Sequence, residues 1–396
     1  MDYNFLDSSI EYEDLVLPNS DKINNFLLKN NKEEVHKAID FLFSDDSILH
    51  VHGFMGTGKR QFINYIGEFL NKDVIKLEYY CKASTVSDDI LLNFIEYISN
   101  LSISRAININ AKISTLNVKF EEDVSAIKKP FVIILHSADD VLEENIKLLS
   151  DFINSIKKFS NVKIIISTKA MQPKIIADLE VNKKIFLKAL TKEIFVEYLR
   201  NAQIKTTDKA IDDFYKYTRG YYYYTALSIK IIQTMNVDLV EFLQKYNQSE
   251  MTFDSFLGVT YVNIIPATVR NYFWFLRTIR HGLSTNALAV FEIYDEFALE
   301  YLKSNLMIFQ VNDVVYVQDF FIQKIDISIP DKTEIKLHKY IIGLYEKQLK
   351  ERLKDRVLFV SRQAMRAEIE YHNKCIKNIE SLTKLGPLHI PGNLTG

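Results

Sequence analysis

The segment Gly53–Lys59 has the residue types and the spacing needed to bind a phosphate chain. It reads Gly-Phe-Met-Gly-Thr-Gly-Lys and fits the pattern G-x-x-x-x-G-K, with an apolar run before it and a helical pattern after it. Glycines let the backbone curl so that several N–H groups face phosphate oxygens, and the lysine ammonium reaches the β- and γ-phosphates. The alternative, a plain strand–turn–helix with a chance lysine, is disfavoured by this context. The residues predicted to bind nucleotide are Gly53, Gly56, Thr57, Gly58, Lys59, Arg60 and Gln61.

Two positions depart from what a hydrolytic phosphate-binding loop requires. The residue after the lysine is usually Ser or Thr, whose hydroxyl binds Mg²⁺, but Arg60 stands there and offers no acceptor to a metal. The apolar run Phe131–Leu135 is followed by His136, where an Asp that holds the metal is expected. The sequence therefore favours holding ATP or ADP over cleaving it, and it leaves open whether Mg²⁺ takes part.

Candidate catalytic residues follow the same apolar run. Asp139 and Asp140 come three and four residues after the expected position, so one of them would face the γ-phosphate, or both would cap a helix that starts near Val141. His136 would be either a satisfied histidine at a strand tip or a direct contact to nucleotide. These alternatives stay open at the level of sequence.

A second polar pair, Thr168 and Lys169, ends the next apolar run, which begins at Val162. Because the carboxyl ends of parallel strands meet at the edge where phosphates bind, this pair is a candidate sensor of the γ-phosphate. The alternative for Lys169 is a solvated lysine at a strand end.

Apolar runs alternate with helical patterns through the first half of the chain. They are Ser47–His52, Val74–Tyr80, Phe131–Leu135, Val162–Thr168 and Ile185–Leu187. The two purest runs show no apolar–polar alternation, which indicates strands buried on both faces, as in a parallel sheet. We predict an α/β fold, a three-layer parallel-sheet domain with helices on both faces.

The second half changes character. Only helical patterns appear between Thr191 and Gln248, and Gly220 interrupts them before a tyrosine run. Further helices then precede two short strands separated by Asn312–Asp313, a hairpin signal typical of a winged helix. The predicted segments are an N-terminal arm (1–21), a nucleotide-binding domain (22–188), a helical lid domain (189–262), a winged-helix domain (263–330) and a C-terminal helical tail (331–396).

Composition narrows the class of protein. The 396 residues carry a formal net charge of −2, which gives no overall attraction to nucleic acid or anionic membranes. The two cysteines lie far apart, and no apolar run approaches the roughly 20 residues of a membrane-spanning helix. We expect a cytoplasmic protein that does not enter a membrane.

The order of these motifs resembles the STAND class of AAA+-related P-loop ATPases, of which NB-ARC proteins are one branch. The matching segments are Gly53–Lys59, Phe131–Asp140, Ile164–Lys169, Thr218–Tyr222 and the helices and hairpin of 267–329. The resemblance covers about residues 20–345. It implies a P-loop NTPase with a lid around Gly220 and Tyr222, where Tyr222 replaces a proline that packs on adenine.

The family also reads the β-phosphate of ADP with a histidine late in the winged helix. The resemblance offers Val317–Asp319, which lacks the histidine, or Leu337–Lys339 for that segment. A regulated ATP/ADP switch is therefore expected here only in weakened form.

Three functions follow. The first is a STAND-like switch or scaffold that holds ATP or ADP, hydrolyses it slowly or not at all, and signals through a protein partner, since no sensor repeat is recognised after the winged helix. The second is a DNA-binding protein of the initiator or loader type, suggested by Arg270, Arg277 and Arg280 on one helical face. Four acidic residues nearby favour a lever that packs on the ATPase core over DNA binding. The third is an interaction module that binds no nucleotide.

Overall fold

The structure, a computed structural model, describes residues 4–6, 25–82, 85, 89–91, 93–94, 113–323, 329–351, 357–358 and 360–385. The predicted N-terminal arm lies outside this part of the chain except at residues 4–6. There Phe5 and Leu6 are buried, and Leu6 forms a single antiparallel bridge with Leu70. The described piece of the arm is thus packed onto the nucleotide-binding domain.

Five parallel strands form the central sheet, as predicted. They are β1 (Ile48–His52), β2 (Ile75–Tyr80), β3 (Phe131–His136), β4 (Val162–Thr168) and β5 (Lys183–Phe186). Their order is β2-β3-β4-β1-β5, so β4 lies between the strand that enters the phosphate-binding loop and the strand that ends at His136. β1, β3 and β4 are buried throughout, in keeping with their apolar sequences.

Helices cover both faces of this sheet. They are α1 (Asn25–Asn30), α2 (Lys32–Phe43), α3 (Lys59–Gly67), α4 (Ile113–Ala126), α5 (Glu143–Ile156) and α6 (Lys174–Asp178). The helical segment before β1 is interrupted at Asn31. Its buried side-chain amide donates to Leu27 O (2.9 Å) and accepts from Lys188 N (3.2 Å). An asparagine that bonds to neighbouring backbone competes with helical hydrogen bonding, which explains the break.

Five helices follow the sheet and form the lid. They are α7 (Lys192–Asn201), α8 (Asp208–Thr218), α9 (Tyr222–Met235), α10 (Leu239–Asn247) and α11 (Phe253–Ile264). Gly220 separates α8 from α9 with φ of +65°, and a Cβ there would lie 2.6 Å from Leu190 O. The left-handed backbone and this close approach both require glycine.

The next elements have the arrangement of a winged helix. They are α12 (Ala267–Thr278), β6 (Leu283–Ser284), α13 (Thr285–Val290), α14 (Glu296–Ser304), β7 (Ile308–Val311) and β8 (Val314–Val317). The strands form an antiparallel sheet in the order β6-β8-β7, and Asn312 takes the left-handed conformation that the hairpin turn needs. The wing packs on the central sheet: Asn312 Nδ2 donates to Glu78 O at 2.9 Å, and Tyr80, Phe309 and Tyr316 form one apolar cluster.

The winged helix ends with the short helix α15 (Asp319–Gln323), and the C-terminal region consists of α16 (Asp331–Lys350) and α17 (Arg362–Leu385). α16 and α17 pack on each other, and buried Glu368 of α17 lies 3.5 Å from Arg280 of the winged helix. One apolar cluster runs from α1 and α2 through one face of the sheet, the lid and the winged helix to α17. In the described part of the chain, no helix has the length and apolar character that crossing a membrane requires.

Candidate nucleotide-binding site

The loop between β1 and α3 has the geometry of a phosphate cradle. Gly56 and Gly58 have φ of +89° and +91°, and α3 begins at Lys59 with Gly58 as an N-cap that has no side chain. The first N–H groups of α3 therefore have no side-chain cap, and the helix N-terminus attracts anions. The Lys59 ammonium lies against the same loop and donates to Gly53 O (2.6 Å) and Phe54 O (3.1 Å).

Close packing explains why two of the loop positions must be glycine. A Cβ on Gly58 would lie 2.7 Å from Leu27 Cδ2, and one on Gly56 would lie 2.9 Å from the Tyr224 ring. Thr57 has a structural part in the loop, because its buried hydroxyl donates to Phe54 O at 2.9 Å. Gly53 also lies in the loop and does not line the cavity described next.

A cavity of about 90 Å³ opens beside this loop, between the ends of β3 and β4 and the winged helix. It is lined by Met55, Gly56, Gly58, Lys59, Arg60, Gln61, Tyr80, His136, Ser137, Ser167, Lys169, Tyr223, Gln318, Asp319 and Phe320. Three cations, Lys59, Arg60 and Lys169, face a single carboxylate, Asp319. The lining thus favours an anion over a cation.

Lys59 combines burial with charge. Burial lowers the pKa of its ammonium to about 8, against the opposing effect of nearby carboxylates such as Asp139 and Asp319. An anion placed beside this amine would favour its charged form, so phosphate binding and protonation of Lys59 are coupled.

Arg60 reaches from α3 to the winged helix. Its guanidinium carbon lies 3.6 Å from the centre of the Phe309 ring, and Nη1 donates weakly to Gln318 Oε1 at 3.4 Å. The sequence predicted that Arg60 would bind nucleotide. The structure adds that it also joins α3 to the wing, through a cation–π contact and one hydrogen bond.

Asp139 and Asp140 do not cap α5, which begins at Glu143, so that alternative is wrong. The Oδ2 atom of Asp139 accepts from the backbone N–H groups of Lys169 (2.7 Å) and Ala170 (3.1 Å). Both carboxylate oxygens of Asp140 accept from Lys169 Nζ, at 2.6 and 2.9 Å. Neither acid lines the cavity; instead they fix the end of β4 and the position of its lysine.

These side chains do not fit a Mg²⁺ site. Hard cations take oxygen ligands, but a guanidinium and an imidazole stand at the two expected positions, and both acids already bind donors. No cluster of three or more His, Cys, Asp or Glu in the described ranges is placed to hold a metal ion.

His136 is the last residue of β3, paired with Tyr80 of β2, and its ring is 1% exposed. Neither ring nitrogen has a hydrogen-bond partner among the described residues. Burial lowers the pKa of His136 to about 3, and the neighbouring Arg60 acts in the same direction. The ring is therefore neutral at physiological pH, lines the cavity, and is not the satisfied histidine that the sequence left as an alternative.

Lys169 and Thr168, the predicted sensor pair, point to different places. Lys169 lines the cavity, whereas buried Thr168 shares a 2.6 Å hydrogen bond with His50 Nε2 and donates to Ala170 O. Ser167 occupies the position that was assigned to Thr168: it lines the cavity, and its hydroxyl accepts from Ser137 N at 3.1 Å. Thr168 therefore does not line the cavity, whereas its neighbours Ser167 and Lys169 do.

The lid contacts the loop through α9. Tyr223 N donates to Gly56 O at 2.8 Å, and the Tyr223 side chain lines the cavity. Tyr222, the predicted lid residue, instead packs beside Gly58 and stacks on Tyr198, with ring centres 6.1 Å apart. Gly220 is not part of the cavity lining; it permits the turn that brings α9 onto the loop.

Nothing in the sequence indicated two further residues at this site, Tyr80, which lines the cavity, and Lys82, which contacts Asp319. Tyr80 Oη donates to Asp319 Oδ2 at 2.5 Å, and Lys82 Nζ lies 3.0 Å from Asp319 Oδ1. Burial opposes ionisation of Asp319, but Lys82 and Tyr80 outweigh it and lower the pKa of the carboxyl. Of the two segments considered for a winged-helix contact, Val317–Asp319 thus reaches the site, whereas His338 pairs with His372 of α17.

No protein-family model matches the chain, and no curated protein matches it. Among solved structures, a STAND protein with a tetratricopeptide-repeat sensor from Pyrococcus horikoshii is 13% identical, with a TM-score of 0.54 over 88% of this chain and 49% of that one. A Walker-type ATPase of Pyrococcus abyssi (12% identical, 79% and 96% covered, TM-score 0.39) and the Aeropyrum pernix ORC1 protein in complex with DNA (11%, 77% and 92%, 0.38) also match.

The chain thus spans about half the length of the STAND protein that it matches. The likeness to that protein concerns the fold. Together with the five-stranded parallel sheet and the loop between β1 and α3, it confirms the predicted fold: the chain has a P-loop NTPase fold like that of the STAND protein.

Proposed function

We propose that this protein is a STAND-like switch or scaffold that holds ATP or ADP without a metal ion and does not turn it over appreciably. The observation that carries the proposal is the cavity itself, where a glycine-built cradle faces Lys59, Arg60 and Lys169 and only one carboxylate. The N-terminus of α3 and the Lys59 ammonium would hold the phosphates. Arg60 and Lys169 would balance charge that Mg²⁺ balances elsewhere.

The same cavity offers little to hydrolysis. A general base works best when its pKa lies near the working pH, but burial holds the pKa of His136 at about 3. Asp140 is bound to Lys169, and Asp139 to two backbone amides. The low pKa of His136 and the hydrogen bonds of the two acids support a site that holds a nucleotide over one that activates a water molecule.

The winged helix would carry the signal. Its residues Gln318 and Asp319 form one wall of the cavity, and Arg60 contacts both Phe309 and Gln318. A ligand that draws Arg60 or repels Asp319 changes contacts between α3 and the winged helix. Occupancy of the cradle is therefore coupled to the position of the winged helix.

A protein partner fits the outer face of the winged helix better than DNA does. Phe297 is 69% exposed, and Val290 and Tyr294 are also exposed, which is the pattern of a protein contact surface. The acidic residues around them are exposed as well: Glu292, Asp295, Glu296 and Glu300. Negative charge at this face repels a phosphate backbone.

The arginine face that suggested DNA binding is largely committed within the protein. Arg277 Nε donates to Phe321 O at 2.9 Å, and Arg280 Nε lies 3.5 Å from Glu368 Oε1. The guanidinium of Arg280 also covers the Tyr371 ring at 4.1 Å. DNA binding therefore becomes the weaker alternative, and a gel shift at low salt, where phosphate contacts are strongest, tests it.

The direct test is a titration of fluorescent ATP and ADP analogues with the wild-type protein and the Lys59→Ala variant. We expect saturable binding by the wild type and a loss of roughly a hundredfold in the variant, because a charge-assisted phosphate contact is removed. Lys128→Ala, which changes an exposed lysine outside the cavity, serves as the matched control and should bind like the wild type. Equal, negligible binding by all three proteins would favour the module that binds no nucleotide.

A further inference from the structure

His136 is an unsatisfied polar group in the wall of a cationic cavity. Its ring is 99% buried, and both of its nitrogens lack a hydrogen-bond partner in the described part of the chain. Leaving a buried donor unpaired is unfavourable, and a ligand that accepts the hydrogen bond would remove this cost. The ring lies at the carboxyl end of β3, with its centre 6.1 Å from that of Tyr80, which packs on Phe309 and Tyr316 of the wing.

We infer that this cavity holds the terminal phosphate of a metal-free nucleoside triphosphate and that His136 donates a hydrogen bond to it. The inference rests on the proposed function and sharpens it, because it predicts which nucleotide the site prefers. ADP would occupy the glycine cradle alone, whereas ATP would also reach His136.

The charges and donors around His136 suit a phosphate group with no metal attached. Arg60 and Lys169 line the same cavity, and Lys169 is held there by its ion pair with Asp140. Arg60 has five N–H groups and spends one on a weak bond to Gln318, so most of its donors remain for a ligand. A neutral imidazole carries one N–H and adds a donor without adding a charge.

On the opposite wall of the cavity, the third phosphate of ATP would meet a carboxylate that ADP does not reach. Asp319 is ionised and belongs to the winged helix, where Lys82 and Tyr80 hold it. A terminal phosphate would bring further negative charge next to this carboxylate and would compete with it for the surrounding cations. The third phosphate therefore weakens the contact of the winged helix with the cavity, and ADP does not.

The test compares ATP and ADP affinities, measured in EDTA, for the wild type, His136→Phe and His136→Gln. Phe keeps a ring without donors, and Gln keeps a neutral donor. We expect the wild type to bind ATP roughly tenfold more tightly than ADP, Phe to lose most of that preference at unchanged ADP affinity, and Gln to keep part of it. The inference is overturned if His136→Phe retains the wild-type ratio, or if the wild type binds both nucleotides equally.

A second measurement needs no variant and covers the case in which His136→Phe does not fold. In wild-type protein labelled with ¹⁵N at histidine, the ring signals of His136 should shift on addition of ATP and stay in place with ADP. Identical signals with the two nucleotides overturn the inference while leaving nucleotide binding intact. Failure of both nucleotides to bind at all would remove the proposed function as well, so the two failures are distinguishable.

Discussion

The two halves of the candidate site differ in what they keep of a P-loop site. The cradle half, Gly53–Lys59, has left-handed glycines, a helix N-terminus without a side-chain cap and a half-buried lysine. The half that would hold a metal instead has Arg60 bound to the wing and a neutral His136, while Asp139 and Asp140 bind donors at the end of β4. The contrast supports the proposal that this chain keeps phosphate binding without metal-assisted cleavage, because different elements supply the two sets of groups.

The largest expected effect comes from damaging the cradle. Gly58→Ala forces a side chain into a left-handed position and against buried Leu27, which should destabilise the loop by about 1–3 kcal/mol and abolish nucleotide binding. Gly343→Ala is the matched control: this glycine lies exposed within α16 with nothing near its Cβ, and alanine should stabilise by about 0.5–1 kcal/mol. Urea unfolding and nucleotide titration measure both effects; unimpaired binding by Gly58→Ala would contradict the role of the loop.

Restoring the metal half is expected to have the next largest effect. The double variant Arg60→Thr with His136→Asp supplies a hydroxyl and a carboxylate, so ATP affinity should rise roughly tenfold on adding Mg²⁺, and turnover should exceed that of the wild type. Phosphate release and binding titrations measure the two changes. Each single variant supplies only one metal ligand, so it should show a smaller gain in Mg²⁺-dependent affinity and in turnover. If Mg²⁺ does not affect the double variant, residues besides these two must also prevent metal binding.

The charge of Lys59 predicts a pH dependence. In the free protein the pKa of this ammonium is about 8, so the charged form of Lys59, which binds phosphate, is progressively lost as the pH rises above 8. Above pH 8, ADP affinity should fall by up to roughly tenfold per pH unit, and Lys59→Arg, which stays charged, should remove this dependence. Titrations between pH 7.5 and 9.5 measure it; a flat wild-type profile would mean that Lys59 does not contact the phosphates.

The smallest expected effect concerns the single carboxylate of the cavity. Asp319→Asn removes a negative charge near the terminal phosphate and frees Lys82, so ATP should bind more tightly by about 1 kcal/mol, roughly fivefold, and ADP by less. Glu300→Gln, an exposed acid on the outer face of the winged helix, should leave affinity unchanged. Weaker binding by Asp319→Asn would show that the carboxylate organises the site more than it repels the ligand.

Local features of the site were predictable from sequence, because they depend on neighbours in the chain. The glycines and Lys59 act within seven residues, and buried strands show as apolar runs. The choice between Ser167 and Thr168 was not predictable in this way. Successive side chains of a strand point to opposite faces, and β4 is buried on both faces, so its pattern does not mark which face meets the cavity.

Contacts between residues that are far apart in the chain could also not be predicted from the sequence. Tyr80 and Asp319 are 239 positions apart, and Arg60 and Gln318 are 258 apart. Such pairs form only after the wing has packed on β2, and neither residue of a pair carries a local signal for the other. Similarly, α12 ends at Thr278, so Arg280 lies beyond the helix on which the sequence placed it, and the partners of Arg277 and Arg280 come from elements that follow later in the chain.

The central claim, that the cradle holds nucleotide without a metal, is tested most directly by ATP affinity measured with EDTA and with excess Mg²⁺. Phosphate release is followed in the same samples. We expect saturable binding of ATP in EDTA, no increase in ATP affinity when Mg²⁺ is added, and phosphate release no faster than in a sample without protein. A rise in affinity of about tenfold or more with Mg²⁺, together with steady release, would contradict it.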